Sequence, residues 1–311
     1  MEKAIAPTVV KEPPKTALPA ANGLLAARNR DCVDAFGRPR GFLGNRFVYA
    51  VISQRAHGLS IGLNCNPDKV CNFDCLYCEV NRDLKGRDAK VDLDVLSLEL
   101  KDLLTLTFQG RLRELPYFAT VPPELLDLKG VALSGDGEPT LSPQFLEIIR
   151  EVIYVRSQGE FPFFKLVVIT NTSGLDVPDV RRGLQLLTSR DEIWAKLDAG
   201  TQEYMNRVNR TTTLSLQQVL HNILLIGRER PVIIQSLFPL LEGQEPAGEE
   251  IEMYVQRLQE LTKAGAQIPL VQIYSAHRPA HNPSCGHLPL KVLSRIAQRV
   301  REVTGLRAEV F

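Results

Sequence analysis

The chain has 311 residues, of which 44% are hydrophobic and 23% charged, and its formal net charge is +1. This composition suits a globular protein with a substantial core, and it excludes a chain that is disordered throughout and a strongly basic nucleic-acid-binding protein. No apolar run is long enough to cross a bilayer. Six cysteines are too few for a disulfide framework in a chain of this length, which favours a reducing, cytoplasmic compartment.

The first 30 residues are rich in Ala, Pro and Lys and show no sustained periodicity. We predict a mostly disordered tail over residues 1–30 and one domain over residues 31–311. The alternative is a strand or helix tied onto the core, for which only "NGLLAAR" is suited. The N-terminus lacks an apolar stretch followed by a small-residue cleavage site, so we predict no signal peptide.

An extension, "FGRPRGFLGNRFVYAVISQRAHG" (36–58), precedes the periodic part of the chain. Its four arginines among glycines and aromatics are of a kind that could bind phosphate or RNA. We favour the alternative, in which Phe47, Tyr49 and Val51 pack on the domain and the arginines are solvated.

Short apolar runs typical of buried strands alternate with amphipathic segments of helical spacing. The predicted strands are 59–64, 130–135, 165–171, 192–199, 231–238 and 269–276. The predicted helices are 93–106, 143–158, 179–189, 214–229, 248–265 and 289–305. This alternation predicts a parallel sheet buried on both faces, and six such units give an α/β fold, a partial (β/α)6 TIM-like barrel with an N-terminal extension and a C-terminal helix. In such barrels the chemistry lies at the carboxyl ends of the strands.

The segment "CNFDCLYC" follows the first predicted strand and contains Cys71, Cys75 and Cys78. A structural zinc site wants four ligands, often from two Cys-x-x-Cys pairs, and no second pair is present. Three thiolates on one loop instead suit a 4Fe-4S cluster in which the fourth iron is open to a small molecule. We predict such a cluster, with zinc as the alternative.

Cys-x-x-x-Cys-x-x-Cys in the first loop of a partial barrel resembles the radical S-adenosylmethionine (SAM) superfamily, and Tyr77 fits its usual aromatic position. Together with "ALSGDGEPTL" (132–141), "VITNTSGL" (168–175) and "AKLDAG" (195–200), residues 35–280 look like its iron–sulfur oxidoreductase branch, which is grouped with the wyosine-tRNA synthesis enzymes. At position 54, where that branch usually has arginine, this chain has Gln54.

The resemblance implies that SAM binds the open iron and is cleaved by one electron to a 5′-deoxyadenosyl radical, which abstracts hydrogen from a substrate. The chain would then be an oxidoreductase, lyase or transferase supplied with electrons by a donor such as a flavodoxin or ferredoxin. Tyr77 would belong to the cofactor-binding residues.

"SGDGEP" ends the second predicted strand. Gly135 and Gly137 allow close backbone approach to a ligand, and Asp136 and Glu138 supply carboxylates. Its resemblance to the Gly-Gly-Glu-Pro motif of the superfamily implies contact with the SAM amino group. The alternative is a tight turn without a ligand.

"ITNTSG" ends the third predicted strand, where Thr170 and Asn171 could bond the ribose or carboxylate of SAM. A helix N-cap is the competing interpretation.

In the fourth predicted strand, side chains alternate between the two faces, so Lys196 and Asp198 lie on the same face as Trp194. Buried charges require a partner or a ligand, so we assign both to the SAM or substrate pocket, against the alternative of a structural ion pair. Gln235 on the fifth strand is assigned there by the same logic.

The predicted loop over residues 275–289 is rich in metal-ligating side chains, namely His277, His281, His287 and Cys285, and it also contains Arg278. We expect a substrate-binding lid over the barrel mouth. A second metal site and a plain surface loop are the alternatives.

The substrate is left open among a tRNA base, a peptide and a small molecule, and a non-enzymatic electron carrier or oxygen sensor is the remaining alternative. The other three cysteines are Cys32, Cys65 and Cys285. They are too widely spaced to indicate the second cluster of the wyosine enzymes, and the near-neutral charge also weakens a tRNA assignment.

Overall fold

The computed structural model describes residues 42–211, 213–276 and 284–311. The predicted tail over residues 1–30 and the start of the extension lie outside these ranges, as do His277, Arg278 and His281. None of the helices in the described ranges combines the length and the apolar character needed to cross a membrane.

The described chain forms one large sheet and one small sheet. The strands are β1 (Val48–Ser53), β2 (Gly58–Asn64), β3 (Leu128–Ser134), β4 (Leu166–Thr170), β5 (Glu192–Lys196), β6 (Ile233–Leu237), β7 (Leu240–Leu241), β8 (Val271–Tyr274), β9 (Cys285–Gly286) and β10 (Ala308–Val310). The large sheet has the order β1-β2-β3-β4-β5-β6-β8-β10, and β7 pairs with β9. Strand β1 is antiparallel to β2, whereas the other neighbours in the large sheet are parallel.

The helices are α1 (Leu93–Phe108), α2 (Phe145–Ser157), α3 (Pro178–Gln185), α4 (Gln202–Val208), α5 (Leu216–Gly227), α6 (Gly248–Lys263) and α7 (Leu290–Thr304). Short 3-10 turns occur at Phe42–Gly44, Arg111–Glu114, Pro123–Leu125 and Pro139–Leu141. The side chains of Asp92, Thr201 and Ser215 accept backbone N–H groups at the starts of α1, α4 and α5, which fixes where these helices begin.

The two faces of the curled sheet carry different clusters, because successive strand residues face opposite sides. One set, which includes Leu133, Val168 and Ile193, belongs to the large core shared with the helices. The alternate set forms a small separate cluster of Ala132, Val167 and Trp194, against which Ala56, Ile169 and Ile233 pack. We call the side with this small cluster the inner face of the half-barrel.

The predicted partial (β/α)6 barrel is confirmed, with β2–β6 and β8 as its strands and α7 as its C-terminal helix. The structure adds β1, β7, β9, β10 and α4, which the sequence did not indicate. Helix α4 has seven residues and buries Tyr204, Met205 and Val208, so it is too short to show an amphipathic period. Strand β10 has three residues, and it extends the sheet beyond the six predicted strands.

The described part of the extension packs on the domain. The carboxylate of Glu99 in α1 accepts hydrogen bonds from the three successive backbone N–H groups of residues 46–48, at 2.6–3.1 Å. Phe47 is buried, and Tyr49 and Val51 are half-buried in β1. This supports the packing alternative, but the expectation of solvated arginines is wrong for Arg55, whose Nε is buried.

Candidate functional site

The three cysteines lie on the irregular segment between β2 and α1, at the carboxyl edge of the sheet. The segment is held by α4 and the residue after it: the backbone N–H of Leu76 donates to Val208 O at 2.8 Å and that of Asp74 donates to Asn209 O at 3.1 Å. Each thiol is half-buried. The first loop of the barrel therefore carries the cysteines in a position fixed by backbone contacts.

Each of the three sulfurs has a side-chain N–H donor from another residue. Asn209 Nδ2 lies 3.5 Å from Cys75 Sγ. Asn171 Nδ2 lies 3.8 Å from Cys71 Sγ, and an Arg82 guanidinium nitrogen lies 3.8 Å from Cys78 Sγ. Hydrogen bonds to sulfur stabilise thiolate ligands and tune the potential of an iron–sulfur cluster. This donor set fits three metal-bound thiolates.

Burial raises the pKa of Cys71, and it raises the pKa of Cys75 to about 12. Burial therefore favours the protonated form of both thiols in the metal-free chain, and binding of a metal would have to displace these protons. Among the described residues no three Cys, His, Asp or Glu side chains are arranged around a single metal ion. The choice between an iron–sulfur cluster and zinc at the three cysteines therefore stays a prediction.

The "SGDGEP" segment follows β3 and packs tightly against the residues between β2 and the cysteines. A Cβ on Gly135, whose φ is +116°, would lie 2.5 Å from Asn64 Oδ1, and a Cβ on Gly137 would lie 2.1 Å from Val70 O. Asp136 Oδ2 accepts a hydrogen bond from Asn64 Nδ2 at 3.1 Å. The close approach that the glycines permit in this structure is thus between two protein segments.

Glu138 joins the ends of β3 and β4 through its buried carboxylate. Its Oε1 accepts hydrogen bonds from Thr140 N, Thr140 Oγ1 and Thr170 Oγ1 at 3.1, 2.7 and 2.5 Å. Its Oε2 accepts one, from Asn171 N at 2.6 Å. Burial raises the pKa of Glu138 against these donors. Since Oε2 has acceptor capacity left, the predicted contact of Glu138 with the SAM amino group stays a prediction.

Thr170 and Asn171 face the cysteine loop and Glu138. Asn171 Nδ2 donates to Asn72 Oδ1 at 2.9 Å as well as reaching Cys71. The N-cap interpretation of this segment is wrong, because the N-cap residue of α3 is Val177. The segment instead ties the end of β4 to the first loop.

Asp198 follows β5 and is the centre of a buried network. Its Oδ1 accepts the N–H of Leu237 at 2.9 Å, and its Oδ2 accepts from Asn209 Nδ2 at 2.8 Å and from the hydroxyl of Tyr77. Lys196 Nζ donates to Tyr77 Oη at 3.3 Å. Tyr77 therefore stands between Lys196 and Asp198, which form no direct ion pair.

The charges of this network shift its pKa values. Burial raises the pKa of Tyr77 well above its usual value, and the adjacent Asp198 raises it further. Burial would lower the pKa of Lys196, but nearby Tyr274, Asp198 and Cys75 outweigh it and hold that pKa above its ordinary value. Tyr77 therefore stays a neutral phenol and Lys196 stays a cation.

Gln235 lies on β6 with Lys196 as its Cα partner across the strands. It is fully buried, and its Nε2 donates to Gln272 Oε1 at 2.9 Å. Its assignment to the SAM or substrate pocket stays a prediction. Cys285 lies half-buried in β9 of the small sheet, and His287 is exposed. The second metal site also stays a prediction.

Asn209 and Arg82 were missed by sequence reasoning. Asn209 follows the short helix α4, which no periodicity indicated. Arg82 lies four residues after Cys78, and it donates to Lys69 O at 2.5 Å as well as reaching the sulfur. Neither residue belongs to a sequence motif that would predict its contact with a cysteine, so these contacts are seen only in the folded chain.

No known protein-family profile matches the chain. It is 25% identical over 228 residues to a "UPF0026 protein" of Helicobacter pylori J99, covering 72% of this chain and 66% of the relative. It is 29% identical over 178 residues to the "UPF0026 protein slr1464" of Synechocystis, covering 57% of each. The match thus spans less than two thirds of the length of each of these relatives.

Three solved structures share the fold. Streptococcus suis SuiB bound to S-adenosylmethionine has a TM-score of 0.57 at 13% identity, covering 83% of this chain and 52% of SuiB. TYW1 with a lysine-pyruvate adduct has a TM-score of 0.50 at 16% identity, covering 79% and 74%. A mutant of spore photoproduct lyase has a TM-score of 0.51 at 13% identity, covering 86% and 79%. The chain therefore has the partial-barrel fold of the radical SAM enzymes.

Proposed function

We propose that this chain is a radical SAM enzyme that holds a 4Fe-4S cluster through Cys71, Cys75 and Cys78 and binds SAM beside it. The observation that carries the proposal is the sulfur-donor arrangement: three thiols on the first loop of this fold, each facing an N–H group from a different part of the chain. When bound, the cluster and SAM supply a one-electron cleavage of SAM that yields a hydrogen-abstracting 5′-deoxyadenosyl radical.

In this proposal the protein's own residues orient and isolate the reacting groups. Asn171, Asn209 and Arg82 donate to the three thiolates and so favour the electron-rich form of the cluster. Glu138 fixes the ends of β3 and β4 relative to the cysteine loop through its four hydrogen bonds. Tyr77 is buried in the cysteine loop and connects it to Asp198 and Lys196 through its hydroxyl.

The segment after β3 would hold the methionyl end of SAM. Its carboxylates, Asp136 and Glu138, are suited to an ammonium group, and Gly135 and Gly137 keep its backbone close to the cysteine loop. Thr170 and Asn171 lie beside it at the end of β4. Lys196 contacts the hydroxyl and the ring of Tyr77 and would face an anionic group of SAM or substrate.

The test is formation of 5′-deoxyadenosine by the full chain. The protein is reconstituted with iron and sulfide without oxygen, then given dithionite and SAM, and the products are separated by chromatography. The proposal expects 5′-deoxyadenosine only when both dithionite and SAM are present. A reconstituted cluster that forms no 5′-deoxyadenosine would favour an electron carrier or sensor.

Cys65→Ala is the matched control for this experiment. Cys65 is a buried cysteine near the same loop, and its thiol donates to Leu63 O at 3.6 Å rather than facing the other sulfurs. This variant should load the cluster and form 5′-deoxyadenosine as the unaltered chain does. If it loses the cluster, the assignment of the three ligands is wrong.

The substrate classes can be separated by binding. SuiB has also been solved bound to a precursor peptide, SuiA, but at this level of identity the likeness concerns the fold. Retention of bulk tRNA at low salt that weakens steeply as salt is raised would indicate a nucleic acid substrate, because phosphate contacts release counterions. Absence of retention at low salt would exclude tRNA and leave a peptide or a small molecule.

A further inference from the structure

Arg55, on the turn between β1 and β2, is a partly buried cation without an anionic partner in the described part of the chain. Its guanidinium carbon lies 4.2 Å from the centroid of the Tyr274 ring. Its Nε is buried and has no hydrogen-bond partner among the described residues. Stacking on one face of the guanidinium leaves the N–H edge free to donate to a planar oxyanion.

The turn that carries Arg55 contacts the residue after the last strand of the large sheet and also the inner cluster. The ring of His57 lies 5.4 Å from that of Phe311, which follows β10. Ala56 packs against the inner cluster that contains Trp194. Together with the stacking on Tyr274, these contacts place the partly buried Arg55 beside the inner face, at the open side of the large sheet between β1 and β10.

Lys196 is a second cation on the inner face of the half-barrel. It follows Trp194 by two residues in β5 and therefore shares the inner face. The charge of Arg55 lowers the pKa of Lys196, against the groups that raise it. The carboxylate of Asp198 already accepts three hydrogen bonds from Tyr77, Asn209 and Leu237, so it does not take up Arg55.

Gln235 adds an unpaired acceptor on this face. The residue is fully buried, and its Oε1 has no hydrogen-bond partner among the described residues, although its Nε2 is bonded to Gln272. Its Cα pairs with that of Lys196 across β5 and β6. A buried amide oxygen left without a donor costs free energy, which indicates that a ligand supplies an O–H or N–H group there.

We propose that the inner face holds a substrate-binding subsite for an oxyanion, a carboxylate or a phosphate, in which Arg55 donates to the oxyanion, Lys196 adds positive charge and Gln235 accepts from a neighbouring polar group. The proposal rests on the proposed function insofar as it assigns the anion to the substrate of that enzyme. It narrows the substrate to molecules that present an anionic group to the barrel interior.

The single tryptophan of the chain is a built-in reporter of this subsite. Trp194 is buried in the inner cluster and packs with Ala56, the neighbour of Arg55. The full chain, without cluster or SAM, is titrated with inorganic phosphate and separately with acetate at constant ionic strength, and Trp194 fluorescence is recorded. We expect a saturable change with at least one anion, and the tighter one identifies phosphate or carboxylate as the favoured group.

Variants of Arg55 decide whether that change reports the proposed subsite. Arg55→Gln should weaken anion binding about tenfold or more, as expected for loss of a charge-assisted hydrogen bond. Arg55→Lys keeps the positive charge but loses the planar guanidinium group. Its affinity for the anion should therefore lie between that of the unaltered chain and that of Arg55→Gln. Arg182→Gln, which removes an arginine whose side chain is 62% exposed, is the control and should bind as the unaltered chain does. Far-ultraviolet circular dichroism verifies that each variant is folded.

The outcomes separate this subsite from the proposed function. No saturable change with either anion, or equal affinity in folded Arg55→Gln and the unaltered chain, overturns the subsite. So does loss of SAM binding by the reconstituted Arg55→Gln protein, because the anion would then be the carboxylate of SAM. Failure to form 5′-deoxyadenosine, by contrast, overturns the enzyme assignment and leaves the anion titration as it stands.

Discussion

Two buried aspartates flank β5, and their surroundings differ in kind. Asp191, just before the strand, accepts five hydrogen bonds: two from the guanidinium of Arg156, two from Thr188 and one from the backbone N–H of Leu166. The donors are closed around the carboxylate, whose side chain is 0% exposed. All five donors are protein groups, which fits a structural role for this carboxylate at the amino end of the strand.

Asp198, just past the end of the same strand, belongs to a network that ends on reactive groups. Through Asn209 it is connected to Cys75, and through Tyr77 to the ammonium of Lys196. The inner face beyond it retains unpaired polar atoms on Arg55 and Gln235. We interpret the Asp191 network as structural because its donors close around the carboxylate, and we propose a functional role for the Asp198 network because it leads to a cysteine sulfur and to Lys196.

The largest effect is expected from replacing the three cysteines that we propose as cluster ligands. Replacing Cys71, Cys75 or Cys78 singly by Ser should abolish cluster loading, because only two of the three thiolate ligands would remain. Iron and sulfide content and the visible absorption of the reconstituted protein measure this. Full iron content in any of the three variants would contradict the assignment of that cysteine.

Asp191→Ala should lower the free energy of unfolding by about 3–5 kcal/mol, because it leaves the Arg156 guanidinium buried without its carboxylate. Denaturant unfolding of the unreconstituted protein measures the change. At temperatures where the variant is folded, its cluster content should equal that of the unaltered chain. A loss of cluster in the folded variant would mean that the two ends of β5 are not independent.

Asp191 also predicts a pH dependence. Burial alone would raise its pKa, but the Arg156 guanidinium and the donors of Leu166 and Thr188 outweigh it and hold the pKa below its usual range. The stabilisation is therefore complete above the ordinary carboxylate pKa and is lost as pH falls through the lowered one. The unaltered chain should lose stability on acidification more steeply than Asp191→Asn, and parallel curves for the two proteins would contradict this.

The smallest effect should come from Asn209→Ala. Removing the donor at 3.5 Å from Cys75 should leave iron content intact and make the cluster potential more negative by roughly tens of millivolts, the equivalent of one hydrogen bond. Potentiometric titration followed by electron paramagnetic resonance measures the shift. Asn206→Ala, at an exposed position of α4, is the control. An unchanged potential in Asn209→Ala would show that the contact does not reach the cluster.

The sequence was sufficient for the six barrel strands and the six longer helices, because these show local periodicity, and it placed the candidate motifs in the loops that follow strand ends. It was insufficient for contacts that join distant segments. Asn209 reaches Cys75 from a helix too short to show a period, and Asp191 carries no motif at all. The solvated arginines of the extension were a wrong expectation for Arg55, because only the open edge of the sheet explains why that side chain turns inward.

The central claim is that three thiolates leave one iron of a cluster free to bind SAM. The most direct test is the electron paramagnetic resonance spectrum of the reduced, anaerobically reconstituted protein before and after SAM is added. The account predicts a 4Fe-4S signal whose g values shift on addition of SAM. A protein that binds zinc in place of iron, or a cluster whose spectrum does not respond to SAM, would contradict it.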